Sequence, residues 1–308
     1  LLLGRYEETE AVCQKSAPSA DPALATHIAY IKAILNARFY AVARRDYDAA
    51  RSFVEQSLAF TDRLPVSETR AVNHAFLMNT MALVEMRKGR HTEALDLLDA
   101  ALAYMEREAP SRYGVERIIL LQNRARLHVA GRRIDAAIAD LTTLLGSEPS
   151  NSEAYVDRGL LRQRAGEYEA ALHDYDLAIR WSPPYWEPHF NRAQVLAASG
   201  RREAAIAEYD RVAVLHPDHL ETLIDRGRLH LELGELDRAG RDAAAALRLD
   251  AGNARALCLR GLVALRRRAL DEADRDLSAA VAAAPLLADA WANRATAHFK
   301  RGALEAAR

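Results

Sequence analysis

Six arginines stand 34 residues apart: Arg124, Arg158, Arg192, Arg226, Arg260 and Arg294. A guanidinium carries a permanent charge and a planar fork of donors, so a regular row of them is suited to carboxylate or phosphate groups on an extended anion. A competing arrangement is written in the same spacing. Each of the first five arginines precedes a turn point by eight residues, and an acid follows that point by eight: Asp140, Asp174, Glu208, Asp242 and Asp276. Equal distance from a turn sets two side chains opposite each other in an antiparallel hairpin. The spacing therefore predicts an internal, partly buried Arg–carboxylate pair in each repeat.

Nothing else along the chain has the spacing of a reacting centre. His216-Pro217-Asp218-His219 lacks helical spacing and a third ligand, so it does not read as a metal site. There is no Ser/His/Asp set, glycine-rich phosphate loop or His-Glu-x-x-His motif. Cys13 and Cys258 are the two cysteines and give no disulfide framework. The reading is of a segment without catalytic residues, cofactor or metal. With 308 residues and a formal net charge of −1, the balance does not point to nucleic acid. No apolar run approaches the ~18 residues of a membrane span, and no signal peptide is evident, so a cytoplasmic location is expected. Of 42 basic residues only Lys15, Lys32, Lys88 and Lys300 are lysines, which with the abundant alanine suggests a G+C-rich bacterial gene.

What positions the arginines is a period. Ala137, Ala171, Ala205, Ala239, Ala273 and Ala307 are also 34 residues apart. A fixed period of this size signals stacked repeats rather than one closed core. In the unit Ser152–Tyr185, Ala154, Tyr155, Gly159, Leu160 and Leu161 fall at helical spacing and Gly166-Glu167 breaks the pattern. Tyr168, Ala171, Leu172, Tyr175, Ala178 and Ile179 then form a second amphipathic run, which Pro183 stops. Each unit is thus a helical hairpin. Gly159, Ala193, Gly227, Gly261 and Ala295 on the first helix face Ala171, Ala205, Ala239 and Ala273 on the second, small residues where two helices must approach closely. Units 186–219, 220–253 and 254–287 repeat the pattern, and 118–151 fits with Gly131 displaced by one residue. A last unit opens at Ala288, with a second helix barely begun at Ala303.

This pattern resembles the tetratricopeptide repeat (TPR). The aromatic at the fourth place (Tyr155, Trp291), glycine or alanine at the eighth, alanine at the twentieth, tyrosine or leucine at the twenty-fourth and proline at the thirty-second (Pro149, Pro183, Pro217, Pro285) all match. The likeness is sharpest over 118–308. Over 1–117 the period stretches: the turn points Gly4, Arg45 and Gly89, and Arg132 just beyond, are spaced by 41, 44 and 43 residues. There Asp46-Tyr47-Asp48-Ala49-Ala50 and Arg90-His91-Thr92-Glu93-Ala94 open second helices, the first helices are longer, notably Leu24–Arg44, and Pro65 and Pro110 lie in connections. These read as extended TPR-like repeats continuous with the regular ones. The fold expected is all-α: a right-handed superhelical solenoid of stacked antiparallel helix pairs, cut mid-repeat at both ends.

The resemblance implies a scaffold that binds a peptide or partner protein along its concave face. The residue before each arginine would form a ladder there: Asn123, Asp157, Asn191, Asp225, Leu259 and Asn293. The family shows the second, fifth, ninth, twelfth and thirteenth places on that face. The fifth reads Gln122, Val156, Phe190, Ile224, Cys258 and Ala292, an apolar stripe that serves either a ligand or inter-repeat packing. Ladder and stripe nominate Asn123, Val156, Asp157, Phe190, Asn191, Ile224, Asp225 and Asn293. The lysines that a carboxylate-clamp TPR requires are missing, with a single lysine after Lys88. Trp181, Tyr185, Trp186, His189 and Phe190 gather around Pro183-Pro184 and Pro188, as a hot spot or as the seal of a distorted junction. Two other settings stay open from the family: the ligand-sensing arm of a bacterial signal-transduction ATPase, and the substrate-selecting arm of an O-GlcNAc-transferase-like enzyme.

Overall fold

The structure, a computed structural model, describes residue 36 and residues 40–61, 67–110 and 114–306. The expected turn at Gly4, most of the helix expected over Leu24–Arg44, the connection at Pro65, Cys13 and Ala307 lie outside the described residues. All regular structure among the described residues is helical, in two compact units, Leu1–Ala154 and Tyr155–Arg308. In the first, a π-helical turn Tyr40–Arg44 precedes α1 (Tyr47–Thr61). Two hairpins follow: α2 (Glu68–Arg87) with α3 (His91–Glu108), and α4 (Val115–Ala130) with α5 (Ile134–Ser147). The second unit begins within α6 (Ser152–Arg164), which pairs with α7 (Tyr168–Trp181). It continues with α8 (Glu187–Ala198) and α9 (Arg202–Leu215), α10 (Leu220–Glu232) and α11 (Leu236–Leu249), α12 (Ala254–Arg266) and α13 (Leu270–Ala283), and α14 (Ala288–Ala306).

Stacking follows a rule in both units. Within each unit consecutive helices pack on one another from α1 to α5 and from α7 to α14, and among the described residues a first helix also touches the first helix of the following hairpin at α2 on α4, α10 on α12, and α12 on α14. First helices therefore line one side of the stack and second helices the other. Alanine makes the approach possible. Ala50, Ala94, Ala137, Ala171, Ala205, Ala239 and Ala273 are all fully buried. Gly261 shows how tight the crossing is, because a Cβ there would lie 2.7 Å from Leu277 Cγ and 3.4 Å from the Ala273 carbonyl oxygen.

The expected turn points hold at Arg45, Gly89, Arg132, Gly166, Gly200, Gly234 and Arg268, each in the left-handed conformation. First helices close with a Schellman motif: Glu167 N–H donates to the Arg162 carbonyl at 2.8 Å and Gly166 N–H to Gln163 at 3.1 Å. The same bonds recur at Arg133–His128 (2.8 Å), Arg201–Leu196 (2.8 Å), Glu235–His230 (2.8 Å) and Ala269–Ala264 (2.9 Å). The displaced Gly131 is not the left-handed residue; Arg132 is, at φ 57°. One expectation is corrected at the C-terminal side. α14 runs unbroken through Gly302 to Ala306, where a turn and a new helix at Ala303 were expected.

Candidate functional site

The arginines fall into place first. Arg124 donates Nε to Asp140 Oδ2 at 3.0 Å and Nη2 to Oδ1 at 2.5 Å. Arg158 does the same to Asp174 at 3.0 and 2.7 Å, Arg226 to Asp242 at 2.9 and 2.6 Å, and Arg260 to Asp276 at 2.7 and 2.7 Å. Arg192 donates Nη1 to Glu208 Oε1 at 2.8 Å. All five predicted pairs form. They pull Arg124 and Arg226 above the ordinary guanidinium range, chiefly through the bond to their carboxylates. Arg294 instead faces Asp274 at 3.8 Å, alongside His298 (3.1 Å) and Arg301 (3.4 Å). The row is therefore largely an internal lock between the helices of each hairpin.

Three ladder residues bond to the neighbouring repeat. In the first unit, Asn123 is buried and its Nδ2 donates to Asn79 Oδ1 at 2.8 Å, with Gln122 half-buried beside it. In the second, Asp225 is buried and accepts from Arg255 Nη2 at 2.7 Å. Asn293 donates to Cys258 Sγ at 3.4 Å, and burial pushes the Cys258 thiol up, keeping it protonated. Of the other nominated positions, Val156 is buried, Asp157 exposed, and Phe190 and Asn191 half-buried; Leu259 is buried and Ala292 exposed.

The structure brings some of these together and separates others. Ile224, Cys258 and Asn293 line one recess of about 150 Å³ on the first-helix side, between α10, α12 and α14. Leu262 and Leu287 add apolar wall, and Arg228, Arg255 and Asp289 add charge. Sequence reasoning passed over these charged residues, although Arg255 and Asp289 occupy the second place and Arg228 and Leu262 the ninth. The signal was present in the period. Val156, Asp157, Phe190 and Asn191 do not line this recess.

Phe190 belongs to the aromatic group. Its ring lies 5.9 Å from Tyr209 and 4.8 Å from His219, while Trp186 lies 4.4 Å from His219 and 5.4 Å from His216. Trp186 and Phe190 thus close the contact of α8 with the connection that opens α10. Trp181 stays outside, 47% exposed, with the Arg180 guanidinium over its ring. His189 pairs with Glu208 at 2.7 Å. Burial raises the Glu208 carboxyl, and the bonds to His189 and Arg192 outweigh it and hold that group below the carboxylate range.

A family model described as the ETO1 C-terminal domain matches residues 13–267. The chain belongs to that family. Its architecture is that of tetratricopeptide repeat proteins. One from Parabacteroides merdae gives a TM-score of 0.56 at 20% identity, covering 88% of this chain and 99% of its own. The C-terminal part of another from Cytophaga hutchinsonii gives 0.65 at 12% identity, covering 83% and 97%. YrrB, described as a TPR protein with an unusual peptide-binding site, gives 0.53 at 21% identity, covering 65% and 98%. No curated protein matches the chain. In this member of the ETO1 C-terminal domain family no helix among the described residues is long and apolar enough to cross a membrane.

Proposed function

We propose that the chain is a protein-interaction scaffold that holds an extended segment of a partner protein along the side formed by the first helices. One observation carries this reading. Positions one repeat apart, Ile224 and Cys258, and the ladder residue Asn293 converge on a single recess with an apolar floor and charged edges. Such a surface suits a peptide, whose side chain fills the floor while its polar groups meet the rim. YrrB, with the same repeat architecture, is described as having a peptide-binding site.

The test is to select peptides on the whole chain from a random display library and measure their affinity for Arg228→Ala and Asn293→Leu. Neither position is a buried core site. A loss of about 1 kcal/mol or more in either variant marks an anchor at this face. Peptides that bind both variants as tightly as the parent place the interaction elsewhere.

A further inference from the structure

The partners of the arginines change along the second unit. Arg192 faces Asp176 at 2.9 Å as well as Glu208, and Arg226 donates to Asp210 at 2.8 Å as well as to Asp242. In both cases the additional carboxylate lies sixteen residues before the arginine, on the second helix of the preceding hairpin. Sixteen residues before Arg260 stands Ala244. Arg260 uses Nε and Nη2 on Asp276, and its Nη1 has no acceptor among the described residues. Its side chain is 45% exposed, against 29% for Arg192 and 17% for Arg226.

Where the carboxylate is missing the surface opens. A cavity of about 620 Å³ lies between α11, α12 and α13, lined by Ala244 and Arg260. The cavity one repeat earlier, which Asp210 helps to line, measures about 250 Å³. Arg241, Arg267 and Arg275 edge the larger one. Arg267 is turned onto Asp237 at 2.6 Å, whereas Arg241 and Arg275 have no hydrogen bond or ion pair among the described residues. Of the lining acids, Asp237 and Asp276 are engaged by arginine, leaving Glu272. Two spare guanidinium groups and the free edge of a third thus face one spare carboxylate, a field that attracts acidic groups.

We propose that this cavity binds a carboxylate side chain of an acidic partner peptide, seated against Arg260 where Asp176 and Asp210 sit in the two preceding hairpins. The site is separate from the peptide recess. At 3.6 residues per turn, Cys258 and Leu262 lie on one face of α12, while Arg260, Ala264 and Arg267 lie on the other.

The test is fluorescence anisotropy of a labelled hexaglutamate peptide with the whole chain at low salt, where saturable binding is expected. Ala244→Asp builds in the missing carboxylate and weakens binding on the order of tenfold or more. Ala251→Asp, the same charge on an exposed connection, shifts it by less than about twofold. The double variant Arg241→Gln/Arg275→Gln alters only exposed side chains, so it folds whatever Ala244→Asp does, and it also weakens binding. Glu272→Gln strengthens it. Absence of saturable binding, equal losses in Ala244→Asp and Ala251→Asp, or an unaffected double variant overturns the proposal.

Discussion

Arg158 holds Asp174 through two parallel hydrogen bonds, at 3.0 and 2.7 Å, and Arg162 adds a third at 2.8 Å, so a carboxylate with no solvent exposure is met by three donors. The same fork joins Arg260 to Asp276, but there the arginine is 45% exposed. Burial, not geometry, distinguishes the two. Arg158→Ala strands a buried charge that Arg162 still partly serves, and is expected to cost about 3 kcal/mol. Arg260→Ala lets water replace the guanidinium and is expected to cost about 1 kcal/mol or less. Urea denaturation of both variants checks the ranking, and equal costs would mean that the lock does not depend on burial.

Three of the seven left-handed turn residues are arginines, and they carry a strain that glycine does not. Arg268 sits at φ 64° and Gly166 at φ 81° in equivalent turns. A side chain in this region costs roughly 1–2 kcal/mol, part of which glycine returns through its freer unfolded chain. Arg268→Gly is expected to stabilise the protein by about 0.5–1 kcal/mol, and Gly166→Ala to destabilise it by about 1 kcal/mol. Thermal unfolding reads both signs. A destabilised Arg268→Gly would show that the arginine side chain supplies more than the backbone loses.

The hairpins and their locks were legible because the period fixes distance from a turn, and distance from a turn fixes who faces whom. That logic found Asp140, Asp174, Glu208, Asp242 and Asp276 without coordinates. It could not find Asp176 beside Arg192 or Asp210 beside Arg226, since those contacts depend on how one hairpin is rotated on the next. The same rotation decided the face. Asn123, Asp225 and Asn293 were nominated as a ladder for a ligand, and stacking bonds each to a neighbouring repeat, Asn293 lining the recess as well. Phe190 was placed both in the apolar stripe and in the aromatic group around Pro188; what the spacing did not give is the approach of the His216–His219 connection to its ring. Left-handed Arg132 in place of Gly131 was visible in the 43-residue interval from Gly89, which ignores residue type and counts the turn alone.

Small residues at the helix crossing set a steric limit that can be measured. Gly261 has no room for a methyl group, because Leu277 is fully buried and its Cγ would lie 2.7 Å away. Gly261→Ala gains helix propensity, about 1 kcal/mol, and forces the crossing apart, at about 1–3 kcal/mol. A net loss in stability is expected, and Leu277→Ala in the same chain should recover part of the Gly261→Ala strain. Additive losses in a double-mutant cycle would show that the two do not meet.

His219 makes the stability respond to acid. Its Nδ1 accepts from the Thr222 N–H at 3.3 Å and caps α10, and Trp186 and Phe190 lie against the ring. Burial holds the imidazole below its ordinary 6.5, with Glu221 opposing and His216 adding to the shift. The unfolded chain therefore takes up the proton first as pH falls. Stability is full above the unfolded value and declines as pH drops below 6.5 toward the folded value, because only the unfolded state is being protonated. His128 is likewise held down by burial and adds to the same slope. In His219→Asn the side-chain cap is kept by a good capping residue and the titration is removed. Comparing melting temperatures at about pH 7.5 and about pH 5.5, the acid-induced loss in His219→Asn is expected to be smaller than in the parent, whatever the absolute stability of each. An unchanged loss would move the acid sensitivity to His128 and away from the aromatic contact at the start of α10.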